Sequence, residues 1–213
     1  MYLSRIALDT GKRATMRALA SPNLFHGALE SCFDGNRGQP LWRIDMLNGV
    51  RYLLILTETE TDFSSVAEQF GYSADKWECK PYDTLLGRVA PESRWHFRIT
   101  ANPTYSKVDP SRPQSRGKIH AHKTPDHQRK WLQEQGEKHG FRVTDGEFDV
   151  VESKWLSFYR KAEEKPLKLL SVTFEGLLQI TDVEEFRHAL CHGIGRAKAY
   201  GMGMMTIVSC HGK

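Results

Sequence analysis

The stretch LWRIDMLNGVRYLLILTE, residues 41–58, constrains this chain more than any other. Two apolar, strand-forming runs flank Asn48-Gly49. Asn-Gly supplies the two left-handed residues of a tight hairpin turn, whose twist matches the strands it joins. Residues 41–47 and 51–58 are therefore expected as antiparallel strands joined at NGV. The neighbours extend the pattern. YLSRIAL (2–8) alternates as a strand, and a helix follows, ending near Phe33. DFSSVAEQFG (62–71) is a short helix with Asp62 as its cap and Gly71 as its stop. WECKPYDTLL (77–86) supplies a fourth strand or extended segment. The order is β-α-β-β-α-β, which is ferredoxin-like.

The order then repeats. RWHFRITANP (94–103) is a strand, TPDHQRKWLQEQGEKHG (124–140) a helix with a glycine stop. FDVVESKWLSFYRK (148–161) and LKLLSVTFEGLLQIT (167–181) form a long hairpin. DVEEFRHALCHG (182–193) is a helix capped by Asp182, and MGMMTIVSC (202–210) the last strand. The expected class is α+β, with two tandem ferredoxin-like, RNA-recognition-motif-like domains over 1–88 and 93–213.

Composition narrows the function classes. The chain has 213 residues, 39% hydrophobic and 26% charged, which fits a folded protein rather than a disordered one. No stretch approaches the ~20 apolar residues of a membrane span, and the N-terminus has no apolar run of signal-peptide length. Four separated cysteines with no CxxC pair point to a reduced, cytoplasmic chain. Cys191-His192 and Cys210-His211 lack zinc-ligand spacing and read as bystanders, so no metal is expected.

Charge is concentrated in one place. PTYSKVDPSRPQSRGKIHAHKTP (103–125) holds Lys107, Arg112, Arg116, Lys118 and Lys123 against Asp109 alone, a balance equal to the +4 of the whole chain. With four prolines it reads as a surface loop unable to pack a core. Such a loop, with almost nothing apolar to insert, favours RNA or DNA over a membrane. Arg129 and Lys130 on the next helix extend it. GIGRAKAYGMG (193–203) sets Gly193, Gly195, Gly201 and Gly203 around Arg196 and Lys198. The glycines lie between helix and strand, the reverse of a nucleotide-binding turn, so no small-molecule cofactor is expected. They are expected to let the backbone approach another closely while the cations reach phosphates.

The helix SPNLFHGALESCF (21–33) has Ser21 and Pro22 as start signals. Leu24, Phe25, Ala28, Leu29, Cys32 and Phe33 form its apolar stripe, with His26 off the centre. A boundary histidine with no task fits this stretch taken alone.

Six segments shift that reading: MYLSRIAL, NLFHGAL, FRITANPT, KTPDHQRKWL, SVTFEGLLQIT and GIGRAKAYGMGMMTI. With the doubled fold pattern and the terminal glycine loop, they resemble the CasE-type endoribonucleases, which process CRISPR repeat RNA within Cascade in antiviral defence. The resemblance is collinear over nearly the whole chain. It implies metal-independent cleavage of a stem-loop RNA at the base of its stem. The ribose 2′-OH attacks the adjacent phosphate, leaving a 2′,3′-cyclic phosphate and a 5′-OH, and the product hairpin stays bound. The family's catalytic histidine matches His26. Arg160 and Lys161 at the hairpin tip, with Arg196 and Lys198, are the cations placed to stabilise developing charge. The partners implied are repeat RNA and other Cascade subunits. One position departs: some relatives carry a tyrosine three residues before the histidine, where this chain has Asn23, a residue that cannot act as acid or base. The alternative is therefore a non-catalytic RNA-hairpin-binding subunit of the same fold.

Overall fold

Asn48 and Gly49 take φ of 51° and 79°, the left-handed pair expected of the turn. The computed structural model describes residues 1–33, 40–108, 117–160 and 165–210. Its first half runs β1 (Tyr2–Ala7), α1 (Arg13–Ala20), α2 (Asn23–Glu30), β2 (Leu41–Leu47), β3 (Val50–Thr57), α3 (Ser64–Phe70), β4 (Trp77–Pro81) and α4 (Asp83–Leu86). The strands form one antiparallel sheet in the order β2-β3-β1-β4.

Three local expectations are corrected. One helix was expected before Phe33, but there are two. Pro22 has no N–H and a fixed φ, so it cannot sit inside a continuous helix; it begins α2 instead. Ser21 does not cap that helix; its hydroxyl donates to Asn23 Oδ1 at 3.0 Å. The strand expected over 77–86 ends at Pro81, and its last residues wind into α4.

The second half runs β5 (Arg94–Ala101), β6 (Thr104–Lys107), β7 (Lys118–Ala121), α5 (Pro125–Lys138), β8 (Phe141–Arg142), β9 (Phe148–Phe158), β10 (Leu167–Ile180), α6 (Val183–His192), a 3-10 turn at Lys198–Tyr200, and β11 (Met205–Ser209). Its sheet has the order β11-β5-β10, with β9 and β8 pairing successive parts of β10. Asp182 caps α6 as expected, its Oδ1 accepting from the amides of Glu184 and Glu185. The ends of the basic segment are not loop. They pair as the β6–β7 hairpin, where Tyr105 faces and stacks on His120, a cross-strand ring contact that stabilises short strands.

The LLIL run of β3 shows how the halves join. Leu53 and Ile55 pack under the helices with Phe25, Phe63 and Phe70. Leu54 and Leu56 point the other way, into a core shared with Phe97, Ile99, Phe174 and Met204 of the second half. A strand buried on both faces needs a continuous apolar run rather than alternation. Arg43 of β2 shares the Leu54 side and lies fully buried between the sheets. Its guanidinium donates to the carbonyls of Arg98 and Met204, to Thr206 Oγ1 and to Asp45 Oδ2.

Candidate active site

Phe25 and Leu29, one turn apart, anchor α2. The Phe25 ring lies 5.7 Å from that of Trp42 and 4.8 Å from that of Phe70. Leu24, expected on the same stripe, is instead exposed, because the helix contacts the core through a seam one residue on. His26 follows Phe25 by about 100° around the helix, which sets it on the shoulder of the buried face. Its side chain is 29% exposed and its Nε2 lies 3.3 Å from Glu30 Oε1. Its Nδ1 is buried and meets no hydrogen-bond partner among the described residues.

His26 and Glu30 form one wall of an open cleft of about 800 Å³. Glu58, past the end of β3, lines another side. Cys191 and His192 at the end of α6, and Lys198 of the 3-10 turn, also line it. Burial pushes the Lys198 amine below the usual lysine range and the Cys191 thiol above the usual thiol range. His192 is exposed, stacks on His188 with centroids 4.1 Å apart, and sets its Nδ1 3.0 Å from the His188 carbonyl oxygen. The sequence reading left His192 as a bystander; the fold brings it into the same cleft as His26. The helical spacing of His188 and His192, on one face of α6, was the signal available.

The glycine loop has a packing explanation that the sequence reading undervalued. All four glycines take positive φ. A Cβ on Gly201 would lie 2.6 Å from the Trp42 ring, and one on Gly203 would lie 2.7 Å from the Ile194 carbonyl oxygen. The close approach is thus made within the protein, and it seats the 198–200 turn against α2 and β2. Arg196 is left exposed on the loop.

Of the other expected residues, Arg160 is exposed just past β9, whose last residue Phe158 packs its ring on Tyr200 of the turn at 5.1 Å. Asn23 is half-buried and does not line the cleft. Lys107 and Lys118 face each other across the β6–β7 hairpin, exposed, with Lys123 before α5 and Lys130 exposed on it. Arg129 is engaged by Asp126 and by Asp149 at 2.8 Å, contacts that raise its pKa, while the Val150 amide and then Arg129 hold the Asp149 carboxyl low. None of these five lines the His26 cleft. Lys161, Arg112 and Arg116 lie outside the described residues.

Among the described residues no three His, Cys, Asp or Glu side chains gather as a metal site requires. Among them also, no helix is long and apolar enough to cross a membrane.

Residues 1–208 match the family described as CRISPR associated protein. A curated relative, the CRISPR-associated endoribonuclease Cse3 of Thermus thermophilus, is 33% identical, the match covering 97% of this chain and 99% of that protein. The structure of Thermus thermophilus Cse3 bound to an RNA representing a pre-cleavage complex superposes with a TM-score of 0.80 at 28% identity, over 97% of this chain and 98% of that one. The crystal structure of Cas6e from Escherichia coli shares the fold, with a TM-score of 0.67 at 20% identity, over 98% of this chain and all of that one. The tandem ferredoxin-like architecture, the collinear motifs and the end-to-end match agree, and the chain belongs to the family of CRISPR-associated proteins that includes Cse3.

Proposed function

We propose that this chain is an endoribonuclease that matures CRISPR precursor RNA, with 1–88 and 93–213 as its two domains and with His26 as a catalytic residue. The observation that carries the reading is the shared cleft. His26 on α2 and Lys198 on the glycine loop face one space, in a chain collinear with a relative solved on a pre-cleavage RNA.

The chemistry follows from what these groups can do. The 2′-oxygen beside the scissile phosphate attacks phosphorus, the P–O5′ bond breaks, and a 2′,3′-cyclic phosphate and a 5′-OH result. A proton must leave the 2′-oxygen and another must reach the 5′-oxygen. Histidine serves such transfers near neutral pH, contributing typically ~10²–10⁴-fold. The Lys198 ammonium, with Arg160, Lys161 and Arg196, offsets charge on the phosphoryl oxygens, so no metal is needed. Lys107, Arg112, Arg116, Lys118, Lys123, Arg129 and Lys130 hold stem phosphates, because the deep major groove of an A-form helix is read through its backbone. These contacts survive cleavage, so the product hairpin stays bound and is carried into a Cascade assembly.

The alternative is a binding-only subunit. Asn23 favours it: the residue stands where some relatives have a tyrosine, and its carboxamide oxygen is occupied by Ser21. A labelled repeat hairpin incubated in EDTA, beside a copy with one 2′-deoxy nucleotide at the cut site, separates the two. Cleavage of the first alone supports the endoribonuclease. Tight binding with neither cleaved supports the alternative. His26→Ala is expected to abolish cleavage while leaving hairpin affinity nearly unchanged; equal cleavage by the variant would remove His26 from the mechanism.

A further inference from the structure

In-line displacement at phosphorus places the attacking and leaving oxygens on opposite sides, so one histidine on one wall serves only one of them. Asn23 supplies neither an acid nor a base. The cleft, however, is lined by a second imidazole, carried on α6 rather than on α2. We propose that His192 is the second proton-transfer group of this site, its Nε2 accepting the proton of the attacking 2′-OH. The inference rests on the endoribonuclease reading above.

Hydrogen-bond geometry assigns the roles. A backbone carbonyl only accepts, so His192 Nδ1, 3.0 Å from the His188 carbonyl oxygen, carries the ring hydrogen. In the neutral ring Nε2 then holds the lone pair. Stacking on His188, with rings 17° from parallel, fixes the plane of the imidazole, while the residue stays exposed to the cleft. His26 is wired in the opposite sense. A carboxylate also only accepts, so the His26 Nε2 facing Glu30 at 3.3 Å is a donor.

The step balances. The 2′-oxygen forms its bond to phosphorus as its proton passes to His192 Nε2. The P–O5′ electron pair leaves on O5′, which takes the Nε2 proton of the His26 imidazolium. His192 ends charged and His26 neutral, and proton exchange with solvent restores the starting pair. The volume of about 800 Å³ falls within the ~300–1,000 Å³ of sites that enclose small ligands. The charged or titratable groups facing this space are Glu30, Glu58, Lys198, Cys191 and the Met1 ammonium, the last paired with Asp83; His188 backs the His192 ring, and Lys198 adjoins His139.

The test is single-turnover cleavage of the repeat hairpin across pH, with hairpin affinity measured alongside, for the wild type, His192→Gln and His192→Ala. The glutamine amide can still donate to the His188 carbonyl. The expected result is a loss of about 10²–10⁴-fold in rate at unchanged affinity. The acid-side limb of the pH profile should vanish, and added imidazole should partly rescue His192→Ala. Near-wild-type rates with an unchanged profile would overturn the proposal. So would parallel loss of affinity and cleavage in both variants, or slow cleavage with both limbs intact and no imidazole rescue; each makes the residue structural or positional. Failure of the wild type to cleave in EDTA would instead overturn the endoribonuclease reading, and this inference with it.

Discussion

Arg43 and Asp45 offer the sharpest test of how the two sheets are held. The Arg43 side chain is 1% exposed and the Asp45 side chain 6%, and they meet at 2.6 Å. Burial pushes the guanidinium pKa down while Asp45 pulls it back up. Breaking a buried pair costs about 3–5 kcal/mol, because the surviving charge is stranded. The two halves of the pair are not equivalent. Asp45 has a second partner, Arg98 Nε at 3.0 Å, so Arg43→Met strands carbonyls and a hydroxyl but no carboxylate. Asp45→Leu leaves Arg43 with no counter-charge and sets it facing Arg98. Arg43→Met therefore belongs near the lower figure, about 3 kcal/mol, and Asp45→Leu near the upper, about 5 kcal/mol. At ~2–4 °C per kcal/mol for a chain of this size, Tm falls by about 6–12 °C and about 10–20 °C respectively. The double variant should lose less than the sum, since each single loss includes the penalty of the orphaned partner. Thermal melts and urea midpoints of the three variants measure this. A shift under about 2 °C for Arg43→Met, well below that conversion, would refute the reasoning. So would Arg43→Met proving worse than Asp45→Leu.

Three further outcomes are expected. Gly201→Ala should destabilise the fold by about 1–3 kcal/mol, since its Cβ would meet the Trp42 ring at a φ of 76°; an unchanged urea midpoint would contradict this. Lys130→Ala should reduce the slope of log affinity against log salt for the hairpin by about 1, and Arg129→Ala by less, because Asp126 and Asp149 already offset its charge; titrations at several salt concentrations decide the order. Glu78 is held below the usual carboxylate range by Arg5, 2.8 Å away. Its contribution is therefore full above its unfolded pKa of about 4.3 and fades as pH falls through the lower folded value. Glu78→Gln should flatten the acid arm of Tm against pH by a modest amount, as for other exposed pairs, and an unaltered arm would count against the pair.

What could be read from the sequence was whatever local chemistry decides. Asn48-Gly49 needed only its own turn preferences, and Asp182 only the two amides that follow it. The β6–β7 hairpin was missed because its strands close across intervening proline-rich chain; Pro22 marked the start of α2, but the short α1 before it has no side-chain cap to announce it. Arg43 was invisible for a different reason. In LWRIDML its charge reads as a solvent-facing position of an alternating strand, and only the second sheet, laid over that face, buries it. The cleft has the same origin. His26 and Glu30 come from α2, Glu58 from the end of β3, and His192 and Lys198 from the last helix and loop. The close approach expected of the glycines is made inside the protein, Gly203 against the Ile194 carbonyl and Gly201 against the Trp42 ring. The geometry of the cleft is thus a property of the contact between the halves, and Arg43, bonded to the Met204 carbonyl two residues after Tyr200-Gly201-Met202 closes the loop, sits within that contact. Loosening it should slow cleavage more than it weakens hairpin binding, because the basic residues on α5 and the β6–β7 hairpin lie within the second half alone, whereas His26 and His192 share one cleft only when both halves are docked.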